Sequence, residues 1–472
     1  MVLSSKTAID STSPRALAGA GMRTLTAWAA GLRADAIPDV VLRRAALVLA
    51  DNIAAIVAAE AEPEVRAAQA KLTECSTARE ATVFNRTAAS VDRYATAAAN
   101  GTAATWCELD EGYRLAPAHA GAYILPALLA EAEAAGADTL QVLGALTLGY
   151  EIVGRCAQAF PFAAMTVHPH AAFGTLGAAA GIGILRGYDA DMLLATVSAG
   201  ASMVFAGPYN HALEGALVRN LWTGISAWVG IRAADLAPLG LGGIAESAYD
   251  VFVGCFGTRV DPPALTAELG QRWAIVSGYH KLFACCQYAH SAVEASLVLG
   301  ERLASTGRTP DDIAEITVET HPRGLTLTEV EPPTVLSAKF SMPHAMAAVA
   351  ARRTGGQSAF GRDTLDDPAI ARLRHAVRLE PYAPIETWPK DRPGRVTWRL
   401  SNGETWTEAV ENARGGEDEP FSTDELLRKI DELTRAVFPA MPDVLRGLVV
   451  DPHAVAGKPW RDVVTQMTKR RS

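Results

Sequence analysis

At 472 residues the chain exceeds what one hydrophobic core ordinarily serves, so two domains are expected. Apolar residues make up 49% and charged residues 20%, the balance of an ordinary soluble globular protein. A net charge of −9 provides no basic field for nucleic acid or anionic lipid, so no nucleic-acid or membrane partner is expected, and an anionic substrate needs a locally basic pocket.

The opening residues, MVLSSKTAIDSTSPRALAGAG, carry one early Lys and no continuous apolar run, and read as a disordered lead-in to a cytoplasmic protein. From about Ala16 to Gly257, apolar residues recur three or four apart in Ala-rich stretches broken by Gly, Pro, Asp and Thr. That spacing predicts consecutive helices in a multi-layer domain. Asp138 caps one that carries Leu140, Leu143, Leu146 and Tyr150 on a single face; after a stop at Gly187, Asp189 opens another. The most apolar stretches, 124–135 and 171–185, are short and rich in Ala and Gly, which suits buried helices and not membrane spans. Gly174, Gly177, Gly181, Gly183 and the run Gly240 to Gly243 follow no apolar strand, so they read as close helix contacts and loop punctuation instead of a nucleotide motif.

Near residue 275 the pattern changes. Ile316 and Val318 alternate with polar residues; Val396, Trp398 and Leu400 do so up to Asn402-Gly403, a hairpin signal ahead of the strand-like 405–410. Helical stretches at 291–303 and 343–352 lie between the strands, and after Gly415-Gly416 the segment STDELLRKIDELTRAVF reads as a capped amphipathic helix. The expected fold is mainly α: a large all-helical domain from residues 1–275 and 416–472, with an inserted smaller α+β lid domain at 276–415. Six cysteines, at 75, 107, 156, 255, 285 and 286, show no CxxC spacing and read as reduced, mostly buried thiols.

Four stretches carry chemistry-bearing residues. In ELDEGYRLAPAHAG, Glu108, Asp110 and Glu111 occupy a loop, and His119 stands near a helix start, where the dipole favours neutral imidazole; helix caps and a satisfied buried histidine explain the stretch equally well. His168 and His170 flank Pro169, two apart as in some zinc sites, but without further ligands at usual spacing; a base, a substrate hydrogen bond or a structural pair remain open. Arg219, amid apolar VRNLWTG, needs an anionic partner if buried, either a substrate carboxylate or an internal carboxylate such as Glu214. Lys281, Cys285, Cys286 and His290 fall at the proposed domain junction, a common place for a pocket, although the cysteines serve equally as small core residues.

Taken in this order, NGTAATWCELDEG, HAGAYILPALLAEAE, HPHAAFGTLGAAAGIGILRG, VRNLWTG and KLFACCQYAHSAVEA resemble the MmgE/PrpD family, which includes 2-methylcitrate dehydratase, cis-aconitate decarboxylase and iminodisuccinate epimerase. With LVLADNIAAIVAA and AKFSMPHAMAA, the resemblance covers nearly the whole chain. It implies a helical domain with a lid, a homodimer, and an active site between the domains that needs no metal or organic cofactor. By motif, it places Glu108 or Asp110 at the acidic loop position, His119 and His168 at the two histidine positions, Arg219 at a basic position that is often Lys, and Lys281 at the lysine that begins the K-x-x-x-C-C block. Two departures stand out: Cys286 replaces a histidine of the decarboxylase site, and ELDEG replaces the D-F-D-D of dehydratase-like members.

The implied reaction is proton abstraction α to a carboxylate of a small di- or tricarboxylate. His119 and His168 move protons, Lys281 and Arg219 meet developing charge, Glu108 or Asp110 orients a histidine, and His170, Cys286 and His290 contact substrate. A hydro-lyase like 2-methylcitrate dehydratase comes first; an epimerase of an aspartate-derived dicarboxylate and a cis-aconitate decarboxylase-like lyase follow, and a metal hydrolase on His168 and His170 ranks last.

Overall fold

The computed structural model describes residues 11–469. The first ten residues of the expected lead-in lie outside that range. Its remainder is not a loose segment: a helix runs over Pro14–Gly31, with Pro in its first turn and Ser13 Oγ accepting the Ala16 N–H. A cap plus an early Pro is a helix-start signal, and Ala18, Met22, Leu25 and Ala29 bury one face.

The remaining long helices of the N-terminal half are Asp39–Ala58, Arg93–Ala104, Ala120–Ala135, Thr139–Ala159, Pro169–Leu185, Ala190–Ser202 and Leu221–Leu236. Asp138 closes a capping box with Gln141, and Asp189 caps through Met192 N–H, as their positions predict. Pro169–Leu185 is buried along almost its whole length, which makes it the central helix. Its glycines permit this, since a Cβ on Gly181 would sit 2.7 Å from Ile124 Cγ2 of the neighbouring helix.

A four-stranded sheet forms in the C-terminal half, in the order Val377–Pro381, Ile313–Thr320, Gly394–Leu400, Thr405–Val410. The first pair is parallel and the others antiparallel, with Gly403 (φ +88°) turning the Asn402-Gly403 hairpin. Ile316, Val318, Val396, Trp398 and Leu400 point inward, against the helix His290–Ser305. The chain then returns to its first helices. Lys429 Nζ lies 2.6 Å from Asp51 Oδ1, Arg43 Nη1 donates to Val450 O at 2.7 Å, and Trp460 N–H donates to Ala137 O at 2.8 Å. The fold is thus mainly α with a small sheet. Among the described residues, no helix is long and apolar enough to cross a membrane.

Candidate active site

Three helices aim their starts at one place. His119 is the N-cap of Ala120–Ala135, His168 the N-cap of Pro169–Leu185, and Arg219 lies in the turn that leads into Leu221–Leu236. A short antiparallel pairing of Gly112–Tyr113 with Gly278–Tyr279 then carries the acidic loop to the Lys281 block. Together these segments line a cleft with about 520 Å³ of empty space, reached also by Tyr209, Gln287, Tyr288, Phe340 and Arg392.

Charge is tightly paired on the helical side. Arg219 Nη2 lies 2.5 Å from Glu108 Oε1, and Lys281 Nζ lies 3.3 Å from Glu108 Oε2 and 3.7 Å from Asp110 Oδ1. Asp110 Oδ2 is 2.7 Å from His119 Nδ1, at ion-pair distance but off the line of a good hydrogen bond. Of the two partners considered for Arg219, a substrate carboxylate or an internal one such as Glu214, the structure supplies an internal carboxylate, and it is Glu108. Glu108 reaches both cations from a backbone φ of +53°, a left-handed conformation that costs a residue with a side chain on the order of 1 kcal/mol.

Burial pulls against every one of these charges, and the neighbours decide the outcome. For Glu108, desolvation favours the neutral acid, but Arg219 and Lys281 hold it below the usual carboxylate range. Asp110 is likewise desolvated, and Lys281 and His119 keep it low. Desolvation would discharge Lys281; Asp110 and Glu108 instead hold its ammonium above the ordinary lysine range.

The histidines divide by exposure. His119 keeps 17% of its side chain exposed, against 0–3% for Asp110, Arg219, Lys281 and Glu108. His168 is buried, and two donors face its ring: His170 N–H at 3.2 Å from Nδ1 and Arg219 Nε–H at 3.3 Å from Nε2. Burial and the Arg219 charge push its pKa far below the ordinary value, and since a neutral imidazole accepts at only one nitrogen, one of these two donors is bonded and the other meets the ring N–H. His170 does not line the cleft. Its ring packs edge-on at 4.9 Å from His119 and 4.5 Å from His168, with Nδ1 3.0 Å from Tyr123 Oη. His290 also lies behind the wall, with Nε2 3.2 Å from Cys285 O, and burial pushes it down to about 3. Cys286 does line the cleft, but burial pushes its thiol up to about 11, which leaves it unreactive as a nucleophile. Among the described residues, no group of three or more His, Cys, Asp or Glu side chains is arranged to hold a metal ion.

Sequence comparison agrees with this assembly. A model of the MmgE/PrpD N-terminal domain matches residues 23–263, and one of the C-terminal domain matches residues 283–446. The chain belongs to the MmgE/PrpD family. Among this family member's relatives, the cis-aconitate decarboxylase of Aspergillus terreus is 25% identical over 441 residues, spanning 87% of this chain and 88% of the relative. The cis-aconitate decarboxylase-like protein oryM of Aspergillus oryzae is 26% identical over 453 residues, with 87% and 89% covered.

Several residues that support this MmgE/PrpD site were given no role by the motifs. Glu111 accepts Gly121 N–H at 2.6 Å and Tyr150 Oη–H at 2.8 Å, anchoring the helix that starts after His119. Its burial pushes the carboxyl up to about 7. Beneath the Lys281 block, Asp51 receives His280 Nδ1 at 2.7 Å and Lys429 at 2.6 Å, while Lys429 also donates to Leu109 O at 2.7 Å. One buried network thus ties the helix Thr423–Thr434 to both site loops. His280 had a signal in its place beside Lys281, and Asp51 in being an acid within the apolar LVLADNIAAIVAA; Lys429, on an amphipathic helix, had none.

Proposed function

We propose that this MmgE/PrpD protein is a lyase that removes a proton from the carbon next to a carboxylate of a small di- or tricarboxylate and expels a β-hydroxyl, as a 2-methylcitrate dehydratase does. The observation that carries the reading is His119: the more exposed of the two histidines that line the cleft, at ion-pair distance from Asp110 through Nδ1 and beside a paired set of cations. Asp110 leaves Nε2 free to take the proton. The C–H electron pair moves into the carboxylate, and Lys281 meets the charge of the resulting enediolate. The pair then forms the C=C bond as the C–O bond breaks, and the same imidazolium returns its proton to the departing oxygen as water. One acid–base group serves both transfers, so the elimination is syn.

Both ring nitrogens of His168 face donors of the chain itself, His170 N–H and Arg219 Nε–H, which weighs against its service as the second proton-transfer group that an epimerase needs. A decarboxylating lyase is the second reading, favoured by the names of the relatives that span 87% of the chain; there the C–CO₂ bond breaks, its electron pair is delocalised into the remaining carboxylate and then takes a proton from the protonated form of His119, and the same cations serve. No group beyond the chain's own base and cations is required. We take the enzyme as a cytoplasmic homodimer, with the cleft between the helical domain and a lid formed by residues 276–415. Incubation with 2-methylcitrate, citrate, cis-aconitate and aspartate-derived dicarboxylates in D₂O tests all of this. Loss of water with an unsaturated product supports the hydro-lyase, and CO₂ release supports the second reading. Deuterium wash-in without loss of water makes the enzyme an epimerase, and no exchange or turnover with any of them overturns the proposal.

A further inference from the structure

Arg392 lies between the loop after Pro389 and the strand Gly394–Leu400, and its side chain joins the cleft wall opposite the helix starts. Its backbone carbonyl accepts Ser291 Oγ–H at 2.5 Å, Nη1 donates to Gln287 Oε1, and the guanidinium sits 5.3 Å from the centre of the Tyr288 ring. Arg323 Nη1 holds Tyr288 Oη at 2.8 Å. The guanidinium is therefore aimed and fixed before any ligand arrives.

Its carboxylate is nevertheless distant and shared. Asp391 Oδ2 is 3.8 Å from Arg392 Nε, and Asp391 is already ion-paired with Arg114 Nη2. Arg392 also keeps 11% of its side chain exposed, against 1% for Arg219 and for Lys281. Around the cleft, Arg219 and Lys281 are matched by Glu108 and Asp110, whereas Arg114 and Arg392 face only Asp391. The excess positive charge therefore falls at Arg392. Tyr279 lines the same cleft as this cation and the base: its ring is 6.4 Å from that of His119, and its phenol is within the electrostatic reach of Arg392.

We infer that Arg392 is the anchor for the substrate carboxylate remote from the reacting carbon, so that a dicarboxylate or larger polycarboxylate spans from His119 to the sheet side of the cleft. The assignment rests on the polycarboxylate reading above and adds the residue that selects for a second carboxylate. A guanidinium presents a planar fork that a carboxylate matches with two hydrogen bonds, a geometry that a lysine ammonium lacks. A monocarboxylate therefore gains nothing from Arg392, whatever its affinity for the helical wall.

The test is calorimetric binding of citrate, cis-aconitate and 2-methylcitrate, with propionate as the monocarboxylate control, to the full-length wild-type protein, Arg392→Gln and Arg392→Lys. For any polycarboxylate that binds the wild type, Arg392→Gln is expected to weaken affinity about 10- to 100-fold, and Arg392→Lys by a smaller factor. Propionate binding changes less than about twofold in either variant. Arg392→Lys keeps the charge, so it remains informative if Arg392→Gln does not fold. Wild-type-like affinity in a folded variant overturns the anchor and leaves the lyase reading intact. Failure of the wild type to bind any polycarboxylate overturns that reading and the anchor with it.

Discussion

On the helical side of the cleft, Arg219 and Lys281 lie 2.5 and 3.3 Å from Glu108; on the sheet side, Arg392 is 3.8 Å from an Asp391 that Arg114 already holds. Both walls are cationic, but one is neutralised by its own chain and the other is not. A fully paired wall is preorganised: its cations are fixed in place, and a developing enediolate meets them without reorganisation. A wall with spare positive charge attracts and sorts anions. Catalysis and selection are therefore expected to separate on substitution, with kcat following the helical wall and KM the sheet side.

The largest expected break comes from His119. Replacing it with Asn removes the only exposed base of the helical wall, and kcat should fall about 10³-fold. Polycarboxylate affinity and thermal midpoint should change little, because a partly exposed side chain is lost and not a buried ion. Turnover within about tenfold of wild type would move the base elsewhere. Lys281 comes next. Lys281→Met leaves two buried carboxylates with Arg219 as their one permanent cation, so denaturant unfolding should show a loss of about 3 to 5 kcal/mol, partly recovered below neutral pH as the carboxylates protonate. A loss below about 1 kcal/mol would mean that the pairing is worth no more than a surface bridge.

Local features were legible and remote pairings were not. Asp138, Asp189 and Ser422 cap their helices through contacts within three residues, and Asn402-Gly403 turns its hairpin for equally local reasons. The motifs named Glu108, Asp110, His119, His168, Arg219, Lys281 and Cys286, and the fold brings all seven to one cleft or to its immediate wall. His170 and His290 share those motifs but point behind the wall, a difference of side-chain direction that spacing does not encode. Val377–Pro381 was missed because VRLEP is half-exposed and charged, with no run of alternating apolar residues. Arg392 was missed because it sits in an aperiodic loop, and its meaning depends on Gln287, Tyr288 and Asp391 being near it in space.

A sharper form of the comparison lies within one loop. Asp110 and Glu111 are adjacent and equally buried, but only Asp110 has a cation at ion-pair distance. Glu111 relies on Gly121 N–H and Tyr150 Oη–H, and burial pushes it up to about 7 from an ordinary 4.5. Between those values the folded state binds the extra proton, so this group's contribution to stability falls as pH rises through the window. Glu111→Gln removes the titration at the constant cost of a mismatched amide. Relative to wild type, the variant should gain about 2 to 3 kcal/mol in urea unfolding between about pH 5 and about pH 8. An offset that does not change with pH would mean that Glu111 stays ionised throughout.

The smallest expected effect tests the pairing that defines the helical wall. Glu108→Gln keeps the length that lets residue 108 reach Arg219 and Lys281 but removes its charge, which makes this wall resemble the sheet side. An incoming carboxylate then competes with Asp110 alone, so polycarboxylate affinity should rise about tenfold, near 1.4 kcal/mol. The gain is made with substrate and transition state alike, so KM falls while kcat stays level or drops. The apo variant should also be less stable than wild type, since two buried cations share one remaining carboxylate, and citrate should raise its melting temperature more than it raises that of wild type. If Glu108→Gln instead weakens binding, Glu108 holds the cations in the geometry that a ligand needs, and charge competition is not what limits affinity on this wall.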